Sequence, residues 1–187
     1  VWGAVDPTFV LEPREPAALG DRTAGWLAPQ AAPEGCVWDS LAARVDPRRY
    51  LAALAASVRA HPRGAILEGA EVTGYESGAA TLSDGRRIAA GALVIAAGAA
   101  AFALAERLCG LSLGGRGVKG QAALFDIAPP PGAPMLYDRG VYVMPHADGR
   151  IAVGSTAQSD WTGADDAPDP AQRGYLGRAR ALCPLLA

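Results

Sequence analysis

The sequence predicts a mixed α+β and α/β fold that holds two kinds of sheet, and three features carry that expectation. Asp46-Pro47 opens a run with helical spacing. A meander turning at Asp84-Gly85 leads into the continuous apolar segment Leu93-Val94-Ile95-Ala96. A second Asp-Gly hairpin, at Asp148-Gly149, follows a proline-rich connection. Helix, meander, buried strand, small-residue turn and helix is the order of an α/β cofactor domain, whereas hairpins joined by prolines point to a separate antiparallel sheet.

Each element has a local cause. Residues 1–45 hold Pro7, Pro13, Pro16, Pro29 and Pro33 and read as loops, short strands and a helical turn. Asp46 can accept from the free N–H groups of a first helical turn, and Pro47 suits the first helical position. Tyr50, Leu51, Leu54 and Val58 then recur at helical spacing until Pro62 and Gly64, which predicts a helix over 47–60. Ala65-Ile66-Leu67 and residues 70–75 read as strands. Residues 79–82 and 87–89 flank Ser83-Asp84-Gly85, where Asp-Gly supplies the positive φ of a tight hairpin. Leu93–Ala96 has the composition of a strand buried on both faces. A helix follows to Leu108 and stops at Gly110. Residues 121–127, 140–144 and 150–154 read as strands, and Asp169-Pro170 repeats the cap-then-proline start of a helix that Pro184 closes.

Composition narrows the function classes. The 187 residues are enough for one domain or two small lobes with a real core, and 19% charged against 50% hydrophobic is ordinary for a globular chain. A formal net charge of −2 leaves no electrostatic footprint for nucleic acid or anionic lipid. Arg86 and Arg87 read as a solvated strand edge. Cys36, Cys109 and Cys183 lack metal-ligand spacing and read as reduced, mostly buried thiols. The longest apolar stretch, 92–105, falls short of the ~20 residues of a membrane span. These features predict a cytoplasmic protein with no membrane span. Val1-Trp2-Gly3 and the closing Pro184-Leu185-Leu186-Ala187 read as ends inside a longer polypeptide.

Gly115-Arg116-Gly117-Val118-Lys119-Gly120 spells a dinucleotide-binding Gly-x-Gly-x-x-Gly. That motif works when a strand precedes it and a helix follows, so that helical N–H groups face the pyrophosphate. Here a loop precedes and residues 121–127 alternate like a strand. The spacing therefore predicts an entry into a strand instead of a phosphate cradle.

Four segments in order resemble the D-amino-acid oxidase and glycine oxidase superfamily of FAD enzymes. They are Arg44-Val45-Asp46-Pro47-Arg48-Arg49-Tyr50-Leu51; Asp84-Gly85 with Ile88 and Leu93–Ala99; Val118-Lys119-Gly120-Gln121; and Tyr142-Val143-Met144-Pro145 with Asp148-Gly149-Arg150 and Val153-Gly154-Ser155-Thr156. The resemblance runs over roughly residues 20–187. It implies a partial FAD/NAD(P)-binding lobe plus an antiparallel-sheet substrate lobe of the glutathione-reductase-like amine oxidase type. Residues 1–45 and 107–187 would belong to the substrate lobe and 46–106 to the FAD lobe. Members also carry an N-terminal strand, Gly-x-Gly-x-x-Gly and helix for the FAD pyrophosphate, and a C-terminal Gly-x-Arg-Pro, neither of which occurs in these 187 residues.

The same resemblance suggests site residues. Tyr142 matches a tyrosine that lines the active site on the substrate sheet, where its hydroxyl would bond a carboxylate. Ala97 and Gly98 would lie near the FAD, and Val72 would meet the adenine edge with its backbone. His146 departs from the family's usual arginine after Tyr-x-x-Pro, and Ala100 from a frequent tryptophan. Read from the residues alone, Tyr142 is equally a half-buried strand aromatic, Gly98 a strand-end turn, and His61 and His146 solvent-exposed turn residues.

The expected function is therefore a fragment of an FAD-dependent oxidoreductase that oxidises a small amino acid or secondary amine, of the glycine, sarcosine or D-amino-acid type. The cofactor accepts the hydride, so no side-chain base is required. The fragment alone is expected to be inactive and to self-associate through uncovered sheet edges and apolar surface. Two alternatives share these features: a non-catalytic binding module, and a flavin-dependent tRNA wobble-uridine modification enzyme, for which the near-neutral charge is ill suited.

Overall fold

The computed structural model describes residues 11–14, 25–40, 43–161 and 167–187, with the backbone alone defined at 11–14. In chain order the elements are strands β1 (Leu11–Arg14) and β2 (Cys36–Asp39), helix α1 (Pro47–Ala60), strands β3 (Val72–Glu76), β4 (Ala79–Leu82) and β5 (Arg87–Ala89), helix α2 (Ala101–Cys109), strands β6 (Ala122–Phe125), β7 (Leu136–Asp138), β8 (Val141–Pro145) and β9 (Ile151–Gly154), and helix α3 (Gln172–Leu182). The chain divides into two compact units. The first draws on Val1–Asp46, Gly120–Ala157 and Asp166–Ala187; the second on Pro47–Lys119 and Gln158–Asp165. Of the loops and strands expected over 1–45, those at 1–10, 15–24 and 41–42 lie outside the described residues.

The first unit is built on an antiparallel sheet of order β6-β9-β8-β7, beside the two-stranded β1-β2 pair. Alternation sorts its side chains onto two faces. Leu136, Val141, Val143, Ile151 and Val153 are buried on one face, where Tyr175, Ala179 and Leu182 of α3 join them in a single core with Trp26 and Cys183. Trp26 is wholly buried, and its indole N–H donates to the Pro134 carbonyl at 2.8 Å. The side chain thus adds apolar area without stranding its polar atom.

The second unit has far less interior. Its meander runs β3-β4-β5, antiparallel throughout. Only Ala80, Leu82 and Ala105 are buried hydrophobic residues among its described residues, and no residue of α1 is buried. Gly110 at φ +66° ends α2 in the left-handed conformation that glycine adopts most readily, and its N–H returns to the Ala105 and Glu106 carbonyls.

Both Asp-Gly turns share one construction, and it differs in detail from the expected one. Gly85 and Gly149 take φ of +85° and +84°, whereas neither aspartate has a positive φ. The Gly85 and Gly149 N–H groups donate to the Leu82 and His146 carbonyls, and the flanking pairs close through Leu82 N–H to Arg86 and His146 N–H to Arg150. These are three-residue loops in which glycine supplies the left-handed residue after an ordinary turn. Each aspartate accepts from the backbone N–H two residues on and from the arginine side chain, Asp84 from Arg86 and Asp148 from Arg150.

Several expectations need correction. Residues 92–97 form no strand, and Val94 is 85% exposed. Valine and isoleucine favour extended backbone, but a strand exists only where neighbours satisfy its N–H and C=O groups, and none of the described strands pairs with this segment. Ala65-Ile66-Leu67 is likewise unpaired and exposed. α3 starts at Gln172, because the Asp169 carboxylate accepts the Ala171 N–H in a turn before the helix proper. β7 was not foreseen; it pairs with β8 across Arg139 and Gly140, both at positive φ (44° and 85°), the signature of a two-residue hairpin turn.

Truncation should separate the packed sheet from the bare segment. Ile151→Ala is expected to cost about 2–5 kcal/mol in urea denaturation, whereas Val94→Ala should stay within about 0.5 kcal/mol of wild type.

Candidate functional site

The face of the four-stranded sheet opposite the core carries Tyr142. Register places Tyr142 directly across from Gly154 on β9 and Tyr137 on β7, with Ala122 beyond Gly154 on β6. Met144, Ala152 and Leu124 form the next row of the same face. On this face β9 thus presents only Ala152 and Gly154 between larger neighbours on β6 and β8. Gly154 has little freedom to be anything larger, since a Cβ there would meet the Ala122 Cβ at 3.2 Å. Tyr142 is 39% exposed and Tyr137 60%, and their rings lie 4.6 Å apart between centroids, tilted by 41°. This is an offset aromatic pair on an outward face, with hydroxyl groups at its polar tips.

Tyr137 escaped the sequence reading, although the cue was present. Leu136-Tyr137-Asp138 alternates, and Arg139-Gly140 is a turn-compatible pair before the next strand.

Val72, Ala97 and Gly98 all lie in the second unit. Val72 opens the edge strand β3, and its carbonyl accepts from the Arg107 guanidinium at 3.0 Å, with Glu71 3.7 Å from the same side chain. Ala97 precedes a single 3-10 turn, Gly98–Ala100, that runs into α2, and its carbonyl accepts the Ala100 N–H. Gly98 has φ +56°, and a Cβ there would meet nothing within 4 Å. Backbone conformation explains this glycine, and the space beside it remains open.

The Gly115–Gly120 stretch enters β6 with no helix after it. Side chains occupy the room that its glycines leave. A Cβ at Gly115 would run into the Phe102 ring, and one at Gly117 would meet the Ala99 Cβ at 2.9 Å. The glycines let this loop lie close against the start of α2, so they offer no pyrophosphate cradle. Measured against FAD, the described residues offer an unpaired backbone over 92–96 and an open turn at Gly98, and among them the Gly115–Gly120 stretch gives its pyrophosphate no seat.

The remaining candidates are structural. His61 is exposed, and its Nδ1 accepts the Arg63 N–H at 3.2 Å. His146 is half-buried and pairs through its backbone at the base of the second Asp-Gly turn. None of the three cysteines is joined in a disulfide. Only Cys183 is buried, and burial pushes its thiol up; Cys36 is half-buried and Cys109 exposed, a correction to the mostly buried set. Among the described residues no cluster of three or more His, Cys, Asp or Glu could hold a metal, and no helix is long and apolar enough to cross a membrane.

The model of the FAD-dependent oxidoreductase family DAO matches residues 9–187. The chain belongs to that family. Its cofactor class is therefore FAD. Glycine oxidase from Geobacillus kaustophilus is 26% identical and superposes with a TM-score of 0.74 over 96% of this chain and 48% of its own. Iminodiacetate oxidase from Chelativorans sp. BNC1 shares the fold at 24% identity and a TM-score of 0.66, over 95% of this chain and 48% of its own. This family member thus spans about half the length of the solved oxidases it matches. No curated protein matches it.

The two turn aspartates titrate below their ordinary 3.8, Asp84 chiefly through the Arg86 N–H and Asp148 chiefly through the Arg150 side chain. A lowered carboxylate stabilises the fold above its unfolded pKa and loses that contribution as pH falls through the folded value. In urea titrations, the stability difference between wild type and Asp148→Asn should be flat from roughly pH 5 to 8 and should close below the ordinary aspartate range.

Proposed function

We propose that this chain is part of an FAD-dependent oxidase or dehydrogenase that acts on a small amino acid or secondary amine. The observation that carries the reading is the outward face around Tyr142, set in a chain whose family uses FAD. An amine with a carboxylate needs a hydrogen-bond donor for the acid and apolar surface beside its carbon. Tyr142 supplies the hydroxyl, and Gly154 and Ala122 leave room beside the ring for a small molecule and exclude bulky side chains. When bound, FAD accepts the hydride; this chain orients the substrate. The glycine oxidase and iminodiacetate oxidase neighbours support a small carboxylated amine as the substrate class.

In this proposal the lobes divide the labour. Residues 1–45 and 107–187 form the substrate lobe, and 46–106 the FAD lobe. Val72, Ala97 and Gly98 hold an edge of the cofactor with backbone groups, and the pyrophosphate is held by residues beyond these 187. The chain alone would then bind no flavin tightly and would be inactive.

The full-length protein is expected to purify yellow and to bleach anaerobically with glycine, sarcosine or a D-amino acid. A colourless full-length protein indifferent to added FAD would overturn the proposal. In the flavin-loaded protein, Tyr142→Phe should weaken the substrate or a carboxylate analogue by about 3- to 10-fold, the loss of one hydrogen bond. An unchanged titration of the flavin spectrum with that analogue would remove Tyr142 from the site.

A further inference from the structure

Asp-Gly is the dipeptide in which an aspartate most readily reacts with its own backbone, because no side chain shields the glycine nitrogen. That nitrogen attacks the aspartate Cγ. A Cγ–N bond forms, the N–H proton passes to solvent, and the Cγ–O bond breaks with loss of water. Water then opens the five-membered imide at either carbonyl. Opening beside Cα leaves an isoaspartyl link, whose backbone runs through the side chain and is one carbon longer. Asp84-Gly85 and Asp148-Gly149 are the two Asp-Gly pairs of a sequence that contains no asparagine, so amide loss is no competing source of such links within it. Both aspartates are exposed, and solvent reaches them freely.

The hydrogen bonds of the two turns oppose this chemistry. Ring closure needs Cγ over the glycine nitrogen, yet each carboxylate is turned toward the arginine two residues on. Asp84 accepts the Arg86 N–H on Oδ1 at 3.0 Å and the Arg86 Nε–H on Oδ2 at 2.6 Å. Asp148 accepts the Arg150 N–H on Oδ1 at 3.3 Å, and its Oδ2 takes both Nε–H, at 2.9 Å, and an Nη2–H. The glycine N–H groups are engaged elsewhere, Gly85 with the Leu82 carbonyl at 3.0 Å and Gly149 with the His146 carbonyl at 3.2 Å. Closing the ring would rotate that peptide out of the turn and break the bond. The charge-assisted bonds also favour the ionised carboxylate, the form that lacks water as a leaving group.

We infer that Asp84-Gly85 and Asp148-Gly149 are latent isoaspartate sites held closed by the side chains of Arg86 and Arg150, and that Asp148, with one more bond from its arginine, is the better guarded. An extra backbone carbon at 148 would fall in the loop between β8 and β9, whose register sets Tyr142 opposite Gly154. The inference needs neither flavin nor turnover, and it does not rest on the role given to Tyr142.

The test is incubation of the full-length protein at neutral pH, with isoaspartate located by electron-transfer fragmentation of its peptides, beside synthetic peptides of residues 80–89 and 144–153. Each folded site should isomerise about tenfold or more slowly than its own peptide, and Asp148 should be slowed further than Asp84. Arg150→Gln should speed the reaction at 148 by about tenfold and leave 84 unchanged, and Arg86→Gln should do the reverse. Hydrogen exchange separates this chemistry from unfolding: amides of β8 and β9 should stay protected in Arg150→Gln, and those of β4 and β5 in Arg86→Gln. Faster isomerisation that comes with lost protection would make the arginine a fold element alone and overturn the inference. Folded sites as fast as their peptides, an arginine substitution without effect on its own turn, or Asp84 guarded better than Asp148 would each overturn it as well.

Discussion

One-sided sealing of the β6-β9-β8-β7 sheet is the constraint on which the first unit depends. α3 and Trp26 cover one face, and the period-two geometry of a strand then sends every alternate residue to the other. With Val141 and Val143 committed to the core, Tyr142 has to point outward, and the same registers bring Tyr137, Gly154 and Ala122 beside it. The candidate substrate wall is thus a by-product of how the core is packed. A one-residue slip of β8 would bury the tyrosine and expose two valines, so core stability and site geometry are enforced by the same hydrogen bonds.

The two Asp-Gly turns, one in each of two separate sheets, show economy of another sort. Ser83-Asp84-Gly85-Arg86 and Ala147-Asp148-Gly149-Arg150 are unrelated in position but identical in construction, down to an aspartate that accepts from both backbone and side chain of an arginine two residues later. Glycine provides the left-handed residue, and the aspartate fixes the loop before it. These ion pairs are exposed and add little stability as charges; their value lies in setting the hairpin register.

Much of this was legible in sequence. Periodicity and caps gave α1 its limits at Pro47 and Ala60, and Asp-Gly marked both hairpins. Gly110 stopped α2 because a left-handed residue was needed there. The glycine-rich motif declared itself a loop by lacking a following helix, although only the packing against Phe102 and Ala99 accounts for the glycines themselves. Tyr142 was visible as a strand aromatic; its partner Tyr137 was not, since a three-residue strand is too short for alternation to stand out.

What the sequence determined by itself was local: helix limits, turn chemistry, the alternation that sorts a strand into two faces, and the family motifs. Tertiary structure decided everything that requires a neighbour. Leu93–Ala96 has all the propensity of a strand and forms none, because pairing needs a second backbone within hydrogen-bonding distance. Propensity resides in the residue, whereas a ladder is shared between two segments, and only the assembled fold determines whether the second one is there.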